Sequence, residues 1–251
     1  MTALEENGQN KLSGPLLIVL HLFPGIIFAV FFFVLSWILI QLGLTGYLAL
    51  LITIPACLVP VEIGVMLLWS VRFTGMRSLL GAIRYRQKGT LVEYIVLPPL
   101  LFLCYGLISL AIYPFSQYLE VHLSAWLPVW ATQEALIDGM TNCPPSQRNI
   151  TLLLAVLLSG FVAPIVEELY FRGFLLPRME HWEWAAPVVN SLLFAVYHFY
   201  FPGNVLGIFL VFLPIAYVVR VEKNWKIGAI VHSMINLWGV FSLFTLMSKV
   251  A

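Results

Sequence analysis

The sequence predicts an all-α, polytopic transmembrane helical bundle with about seven spans. Of its 251 residues, 61% are hydrophobic and only 10% are charged, whereas a soluble domain carries roughly 25% charged residues. Several apolar stretches also reach or approach the roughly 20 residues that a helix needs to cross the hydrocarbon core of a bilayer. So few charges cannot solvate a globular surface, and lipid is therefore the solvent that suits this chain.

The apolar segments follow one another along the whole chain. They cover residues 16–41, 47–70, 92–115, 150–176, 185–201, 204–220 and 227–247. The fifth and sixth are short and meet at Phe201-Pro202-Gly203. An eighth element, interfacial or re-entrant, stays open within residues 116–149. With no domain boundary in between, we predict one membrane-embedded domain over residues 1–251, with a catalytic core over approximately residues 150–245.

Basic residues predict the orientation, because cytosolic loops of membrane proteins carry an excess of Lys and Arg. With a cytosolic N-terminus, only Arg148 and Lys249 fall outside. The other basic residues fall on or near the cytosolic side: Lys11, Arg72, Arg77, Arg84, Arg86, Lys88, Arg172, Arg178, Arg220, Lys223 and Lys226. We therefore predict a multi-pass protein of the cell membrane with its N-terminus in the cytosol. The basic stretch 72–88 is either a cytosolic loop or an interfacial helix on anionic lipid.

Charge and cysteine content exclude several partners. The net charge is +1 and no long basic run is present, so we predict no nucleic-acid partner. Cys57, Cys104 and Cys143 form no disulfide framework and no CxxC metal motif. The partners that remain are the lipid bilayer and a peptide or membrane-protein substrate, lipidated or not.

Ionisable residues inside the apolar segments are concentrated after residue 150. Such groups are costly in a membrane and are by default candidates for function. The fourth segment carries Glu167 and Glu168, the fifth ends at His198, and the seventh carries His232 and Asn236. With a helical rise of about 1.5 Å per residue, Glu167 lies roughly 15 Å from the cytosolic end, His198 roughly 16 Å, His232 about 8 Å and Asn236 about 14 Å. Their similar depth predicts that they converge on one buried site.

The chemistry of this set is that of acyl-bond hydrolysis. Two adjacent carboxylates cannot both ionise cheaply in a low dielectric, but Arg172, four residues after Glu168, can hold that one charged. Glu167 points about 100° away around the helix and is free to take a proton from a water held with a nearby imidazole. His232 and Asn236 lie one turn apart and present N–H donors suited to an oxyanion.

Three motifs at these positions resemble those of the CAAX protease and bacteriocin-processing family, also called the ABI family. That family is recognised by E-E-x-x-x-R, then F-x-x-x-H, then H-x-x-x-N or H-x-x-x-D. In this chain the motifs read Glu167-Glu168-Leu169-Tyr170-Phe171-Arg172, Phe194-Ala195-Val196-Tyr197-His198 and His232-Ser233-Met234-Ile235-Asn236. All three are complete, in order and on hydrophobic segments, and the resemblance covers roughly residues 150–245.

The resemblance implies an intramembrane glutamate endopeptidase. In this family pattern, Glu167 aided by His198 activates water, Glu168 and Arg172 orient the site, and the third motif forms the oxyanion hole. Phe194 is implied to be a packing residue. The resemblance also implies metal independence, so no cofactor and no metal are expected. His198, His232 and Glu167 would be the three ligands if a metal were bound after all.

The sequence excludes several other protease classes and leaves two other functions open. The chain lacks H-E-x-x-H, has a single aspartate, Asp138, and contains neither G-x-S-G nor G-x-S-x-G, which excludes zinc, two-aspartate and serine intramembrane proteases of known pattern. A proton-coupled transporter using Glu167, Glu168 and His198 remains an alternative, although no paired broken helices occur in two halves. A non-catalytic relative that binds a membrane partner is the other. Glu62 and His21, which no motif includes, are interpreted as structural or water-facing.

Overall fold

The architecture is entirely helical in the part of the chain that is described. A computed structural model describes residues 12–248, so Lys11 and Lys249, used above to predict orientation, lie outside the described residues. Residues 12–248 form eight helices, and the β-pairing among them is an isolated antiparallel bridge between Arg86 and Asn224. The prediction of an all-α bundle is confirmed.

The helices are numbered in chain order. They are α1 (Gly14–Gln41), α2 (Gly46–Thr74), α3 (Leu91–Leu123), α4 (Gln133–Asn142), α5 (Pro145–Trp182), α6 (Ala185–Tyr197), α7 (Val205–Glu222) and α8 (Trp225–Ser248). Two of them change pitch along their length. Helix α2 has a π-helical turn at Ile54–Leu58, and α5 contains two π-helical stretches and a final 3₁₀ stretch.

Six of these helices, α1, α2, α3, α5, α7 and α8, are long and apolar enough to cross a membrane. This is the architecture of an integral, multi-pass membrane protein. Helix α6, the fifth predicted span, has only 13 residues, about 20 Å against a hydrocarbon core of about 30 Å. The predicted count of seven is therefore approximate. Helix α6 ends at Tyr197, and the turn that follows leads to Phe201, whose backbone is non-helical as expected directly before Pro202.

The connections between helices gather at two ends of the bundle. At one end the 75–90 loop contacts α5 and the α7–α8 junction, where the backbone N–H of Arg84 donates to Gly173 O and that of Trp225 donates to Tyr85 O. At the other end Asn204 donates to Gln133 Oε1 at 3.1 Å, which joins the α6–α7 turn to α4. Successive segments thus run in alternating directions, α6 included.

The two uncertain regions of the sequence have clear structures. Residues 116–149, predicted as a loop with an optional eighth element, instead contain the end of α3, the ten-residue helix α4 and the start of α5. The basic stretch 72–88 contains the end of α2 and then a loop with one 3₁₀ turn at Leu79–Gly81, not an interfacial helix. Burial and a hydrogen bond to Glu180 raise the pKa of the Tyr85 phenol in this loop, so Tyr85 stays neutral and fixes the loop to α5.

The surface of the bundle is rich in large apolar side chains, whereas several charged groups are buried inside it. Large apolar side chains such as Val30, Leu68 and Leu110 are exposed, as expected where lipid is the solvent. The fully buried side chains include charged and polar groups: Glu62, Glu168, Arg172, Arg178 and Asn190. Because such groups are costly at membrane depth unless they are paired or functional, the interior around α2, α5, α6 and α8 is the place to look for a site.

Candidate active site

The two adjacent carboxylates lie on the regular, central turn of an otherwise irregular helix. Ala163–Glu168 is α-helical and is flanked by π-helical stretches at Ala155–Val162 and Leu169–Leu175. Pro164, which lacks a backbone donor, stands at the start of the regular turn. Single π-helical turns are frequently found at functional sites, because they redirect side chains and free carbonyl groups.

Glu168 and Arg172 form a fully buried ion pair. Arg172 Nη1 lies 3.0 Å from Glu168 Oε1, and neither side chain is exposed. The contact has ion-pair distance but not the angles of a hydrogen bond, so the attraction is mainly electrostatic. The guanidinium also faces aromatic rings, 4.1 Å from the centroid of Phe194 and 5.1 Å from that of Phe212. This cation–π packing gives the motif phenylalanine, Phe194, a physical role in holding Arg172.

Glu167, one residue earlier, faces two imidazoles instead of an arginine. Its Oε1 lies 3.8 Å from His198 Nε2, and its Oε2 lies 3.7 Å from His232 Nε2. Both separations are too long for direct hydrogen bonds but allow one water to contact carboxylate and ring together. With 4% of its surface exposed, Glu167 occupies an almost dry position.

His198 is held in one orientation by the end of α6. It follows the last helical residue, Tyr197, and its Nδ1 lies 2.9 Å from the carbonyl oxygen of Phe194. A carbonyl can only accept, so Nδ1 carries the hydrogen and the neutral ring presents the lone pair of Nε2 towards Glu167. The ring of Phe194 packs edge-on against the imidazole at 4.8 Å. The second motif therefore orients a proton acceptor.

His232 lies between the two carboxylates. Its Nδ1 is 3.3 Å from Glu168 Oε1, while Nε2 is on the Glu167 side. The ring packs edge-on against Phe212 at 4.6 Å. Glu168 thus contacts both Arg172 and His232, which links the first motif to the third.

Close helix packing brings α8 to Glu168, and it depends on Gly228. A methyl group added at Gly228 would clash with Glu168 Oε2 and would lie 3.1 Å from Val219 Cγ2. The absence of a side chain therefore lets α8 approach α5 closely enough for His232, one turn later, to contact the carboxylates.

We predict that Gly228→Ala displaces Glu168 and lowers both stability and any activity. Forced overpacking lowers the free energy of unfolding by about 1–3 kcal/mol. The displaced carboxylate of Glu168 would also lose its contacts with both Arg172 and His232. Melting temperature in detergent measures the first effect. The matched control is Gly239→Ala in the same helix, where a Cβ has nothing within 4 Å, so no loss is expected. Equal behaviour of the two variants would contradict this account of the packing.

Asn236, the last predicted site residue, makes a different contact. Its Nδ2 donates to the carbonyl oxygen of Ser159 at 2.9 Å, in the first π-helical stretch of α5. Within residues 12–248 the structure thus brings five of the predicted site residues into one cluster: Glu167, Glu168, Arg172, His198 and His232. Asn236 lies one turn from His232, and one of its amide hydrogens joins α8 to α5. The second amide hydrogen is not needed for that bond.

Several residues around the cluster were not assigned to it from the sequence. The hydroxyl of Tyr197 donates to the buried carboxyl of Glu62 at 3.3 Å. Phe212 covers Arg172 and His232, and no sequence signal separates it from lipid-facing phenylalanines. Glu62 did give a signal, as a charge inside an apolar run, but no motif included it. His21 is fully buried against Asn190 at 3.1 Å, and is therefore structural rather than water-facing.

The described part of the chain contains no candidate metal-binding site. Among residues 12–248, no group of three or more His, Cys, Asp or Glu side chains is arranged to hold a metal ion. Metal independence itself stays a prediction that activity measurements must test.

Comparison with known proteins identifies the segment that carries the motifs. Residues 149–238 match the model of a family described as Rce1-like, type II CAAX prenyl endopeptidase. A curated relative, the UPF0177 protein YxdF of Lactococcus lactis subsp. lactis (strain IL1403), is 30% identical over 91 residues, which is 36% of this chain and 51% of the relative. The chain thus spans about half the length of the curated relative it matches. No solved structure matches it.

Proposed function

Since residues 149–238 are similar to the Rce1-like CAAX endopeptidases, which confirms the resemblance indicated by the three motifs, we propose that the protein is an intramembrane glutamate endopeptidase. The observation that carries the proposal is the position of Glu167, whose carboxyl faces imidazoles of two other helices at 3.8 and 3.7 Å. Beside it, Glu168 has its charge matched by Arg172. One carboxylate is therefore free to move protons while the other is held.

The proposed reaction is hydrolysis of a peptide bond by an activated water. Glu167, with His198 accepting at Nε2, takes one proton from the water as its oxygen adds to the carbonyl carbon. His232 and Asn236 stabilise the oxyanion that forms. The carbon–nitrogen bond then breaks, and the proton held by Glu167 passes to the leaving amine. Glu168 and Arg172 touch no reacting atom and keep His232 and the helix in place.

The proposed substrate is a peptide or membrane protein, lipidated or not, that reaches the site within the bilayer. A groove of about 290 Å³ opens between α5 and α8. Its walls are apolar, and they include Ile165 on the turn before Glu167 and Ser233 beside His232. An apolar groove between the two helices that carry Glu167 and His232 suits a chain segment that arrives from the lipid phase.

We further propose that the chain forms a single domain embedded in the cell membrane. Its catalytic core, at about residues 150–245, opens towards the cytosol. The support is the distribution of basic residues. Arg84, Arg86 and Lys88 lie in the 75–90 loop, at the same end of the bundle as Lys223 and Lys226. Only Arg148 among the described basic residues lies towards the opposite end.

This orientation predicts that residues 116–149 face the outside of the cell. Asp138 is exposed on α4, so a cysteine at this position, in a variant whose three native cysteines are replaced, should react with a membrane-impermeant thiol reagent on intact cells. Gln87→Cys in the opposite loop is the matched control and should react only after permeabilisation. The reverse pattern would overturn the proposed orientation.

The proposed activity is tested first by finding a substrate. Membrane fractions from cells that carry the native protein or Glu167→Gln are compared by quantitative proteomics of protein termini. We expect uncut precursors to accumulate with Glu167→Gln, and the purified native protein to cleave one of them after chelator treatment. Identical terminal peptides in both samples would count against the proposed protease, and activity that is lost on chelation and restored by zinc would overturn metal independence.

A further inference from the structure

A buried chain of hydrogen bonds joins three helices beside the candidate active site. His21 of α1 and Asn190 of α6 are both fully buried. Asn190 Nδ2 lies 3.1 Å from His21 Nε2 and 3.0 Å from the backbone carbonyl oxygen of Phe171 in α5. On the far side of the imidazole, His21 Nδ1 lies 2.9 Å from Leu17 O. The chain therefore runs from α1 through α6 to the residue that precedes Arg172.

Two carbonyl groups determine which atoms of this chain donate. A carbonyl oxygen can only accept, so the amide atom of Asn190 that lies next to Phe171 O is the nitrogen. For the same reason His21 Nδ1 carries the hydrogen that points to Leu17 O. His21 Nε2 then presents a lone pair to the second amide hydrogen of Asn190. Each hydrogen is used once, and every bond in the chain has one donor and one acceptor.

The carbonyl group at the end of the chain belongs to an irregular part of α5. Phe171 lies in the π-helical stretch Leu169–Leu175, and its oxygen also accepts the backbone N–H of Leu176. The peptide group between Phe171 and Arg172 is planar, so the direction of this carbonyl also sets the direction in which Arg172 leaves the backbone. Asn190 therefore restrains the peptide plane that carries the guanidinium of the buried ion pair.

Close packing of α1 on α6 and α5 keeps the chain together. A methyl group added at Gly25, one turn after His21, would lie 2.5 Å from Tyr197 O. The absence of a side chain at Gly25 therefore lets α1 pass directly against the end of α6. The His21 ring also packs on the ring of Phe171, with 5.6 Å between centroids.

Stability alone does not explain this arrangement. Asn190 Oδ1 has no hydrogen-bond partner among residues 12–248, and an unpaired polar atom in an apolar interior is unfavourable. Apolar side chains of the same shape in place of both His21 and Asn190 would avoid that cost. An apolar pair could not, however, hold one particular carbonyl group of a neighbouring helix. The polar pair is therefore suited to fixing a direction.

We propose that His21 and Asn190 are positioning residues, which orient Arg172 by fixing the carbonyl group before it. The inference rests on the proposed function, since it assigns the pair to that reaction. Neither residue touches a reacting group. Arg172 is paired with Glu168, whose carboxylate contacts His232. A shift of the restrained peptide group thus reaches the imidazole proposed to stabilise the oxyanion.

The test compares kcat, KM and melting temperature for four variants: Asn190→Leu, His21→Leu, His21→Gln and the double variant Asn190→Leu with His21→Leu. Asn190→Leu releases the carbonyl and should lower kcat by about 10- to 10²-fold, since a misplacement of about 1 Å can cost up to about 10²-fold. The KM should change little, because neither side chain lines the proposed substrate groove.

The histidine variants test the direction of the effect. His21→Leu leaves Asn190 next to the carbonyl but free to turn, so its loss of kcat should be smaller. His21→Gln keeps an acceptor for Asn190 and should retain most of the kcat. The double variant should be no slower than Asn190→Leu alone, because His21 acts only through Asn190. Equal losses in His21→Gln and His21→Leu would remove His21 from the proposal.

The matched control is Tyr170→Phe, which removes another buried hydrogen bond between α5 and α1, from the Tyr170 hydroxyl to Leu20 O at 2.7 Å. It should lower the melting temperature about as much as Asn190→Leu does, but leave kcat unchanged. A normal kcat in Asn190→Leu would overturn the proposal. So would a fall in kcat that Tyr170→Phe reproduces, because that would indicate a general loss of packing.

A second measurement separates failure of this inference from failure of the proposed function. Hydrogen–deuterium exchange of purified protein in detergent reports how often the Leu176 N–H leaves the Phe171 carbonyl, with no substrate present. The peptide that contains Leu176 should exchange several-fold faster in Asn190→Leu than in the native protein or His21→Gln. Unchanged exchange would overturn the proposal even if the protein cleaves peptides. Faster exchange in a protein that cleaves nothing would support the restraint and count against the protease.

Discussion

Glu167→Gln is expected to abolish turnover while leaving the protein folded. Glutamine keeps the shape of the side chain and its contacts near His198 and His232, but it cannot accept a proton from water. General acid–base groups contribute about 10²–10⁴-fold to the reaction rate, so kcat should fall by at least about 10²-fold. Cleavage rate and melting temperature in detergent, measured on the same preparation, test both halves of this expectation.

The result of Glu168→Gln decides which carboxylate is the base. We assign that role to Glu167 because Glu168 is already matched by Arg172 at 3.0 Å. If Glu167→Gln keeps appreciable activity while Glu168→Gln is inactive yet fully stable, the two assignments are reversed.

Loss of either partner of the buried ion pair should destabilise the protein strongly. Removing one member of a buried pair leaves an uncompensated charge and costs about 3–5 kcal/mol in the free energy of unfolding. Glu168→Gln should therefore lower both melting temperature and activity, since Arg172 and His232 both lose their carboxylate. Arg172→Gln should show the same loss, with the cation–π packing on Phe194 removed as well.

The double variant identifies the cause of the loss. Glu168→Gln with Arg172→Gln removes both charges, so its stability loss should be smaller than the sum of the two single losses. The control is Arg86→Gln, whose side chain is exposed in the 75–90 loop and donates to Leu80 O, and it should change stability by no more than about 0.5 kcal/mol. Strictly additive losses would show that the pair is not a unit.

Hydropathy predicted most of the fold because lipid imposes one simple rule, an apolar stretch about 20 residues long for each span. It placed all the long helices, but it could not fix where they stop. Helix α3 continues to Leu123, well past the predicted end at residue 115, because a helix that leaves the lipid need not unwind. The ten-residue α4 was missed as a helix because its composition is polar. The π-helical and 3₁₀ stretches of α5 depend on side-chain packing, which hydropathy averaged along the sequence does not detect.

The residues of the candidate site were named from the sequence because they belong to three spaced motifs. Similar depth suggested that Glu167, His198 and His232 converge, but depth says nothing about which face of each helix a residue occupies. The helix orientations, and with them the contacts of His232 with both carboxylates, depend on helix packing such as the close approach at Gly228. Phe212 could not be assigned to the site because apolar residues line both the lipid-facing surface and the core. Glu62 could not be assigned because the sequence does not show which residue a lone carboxylate contacts.

The most direct test of the central claim is the mass of the products formed by purified protein from one defined peptide or membrane-protein substrate. Native protein should yield two fragments whose masses together equal that of the substrate plus one water, and Glu167→Gln, folded to the same melting temperature, should yield none. Fragments formed equally by both proteins would contradict water activation by Glu167, and with it the account of this site.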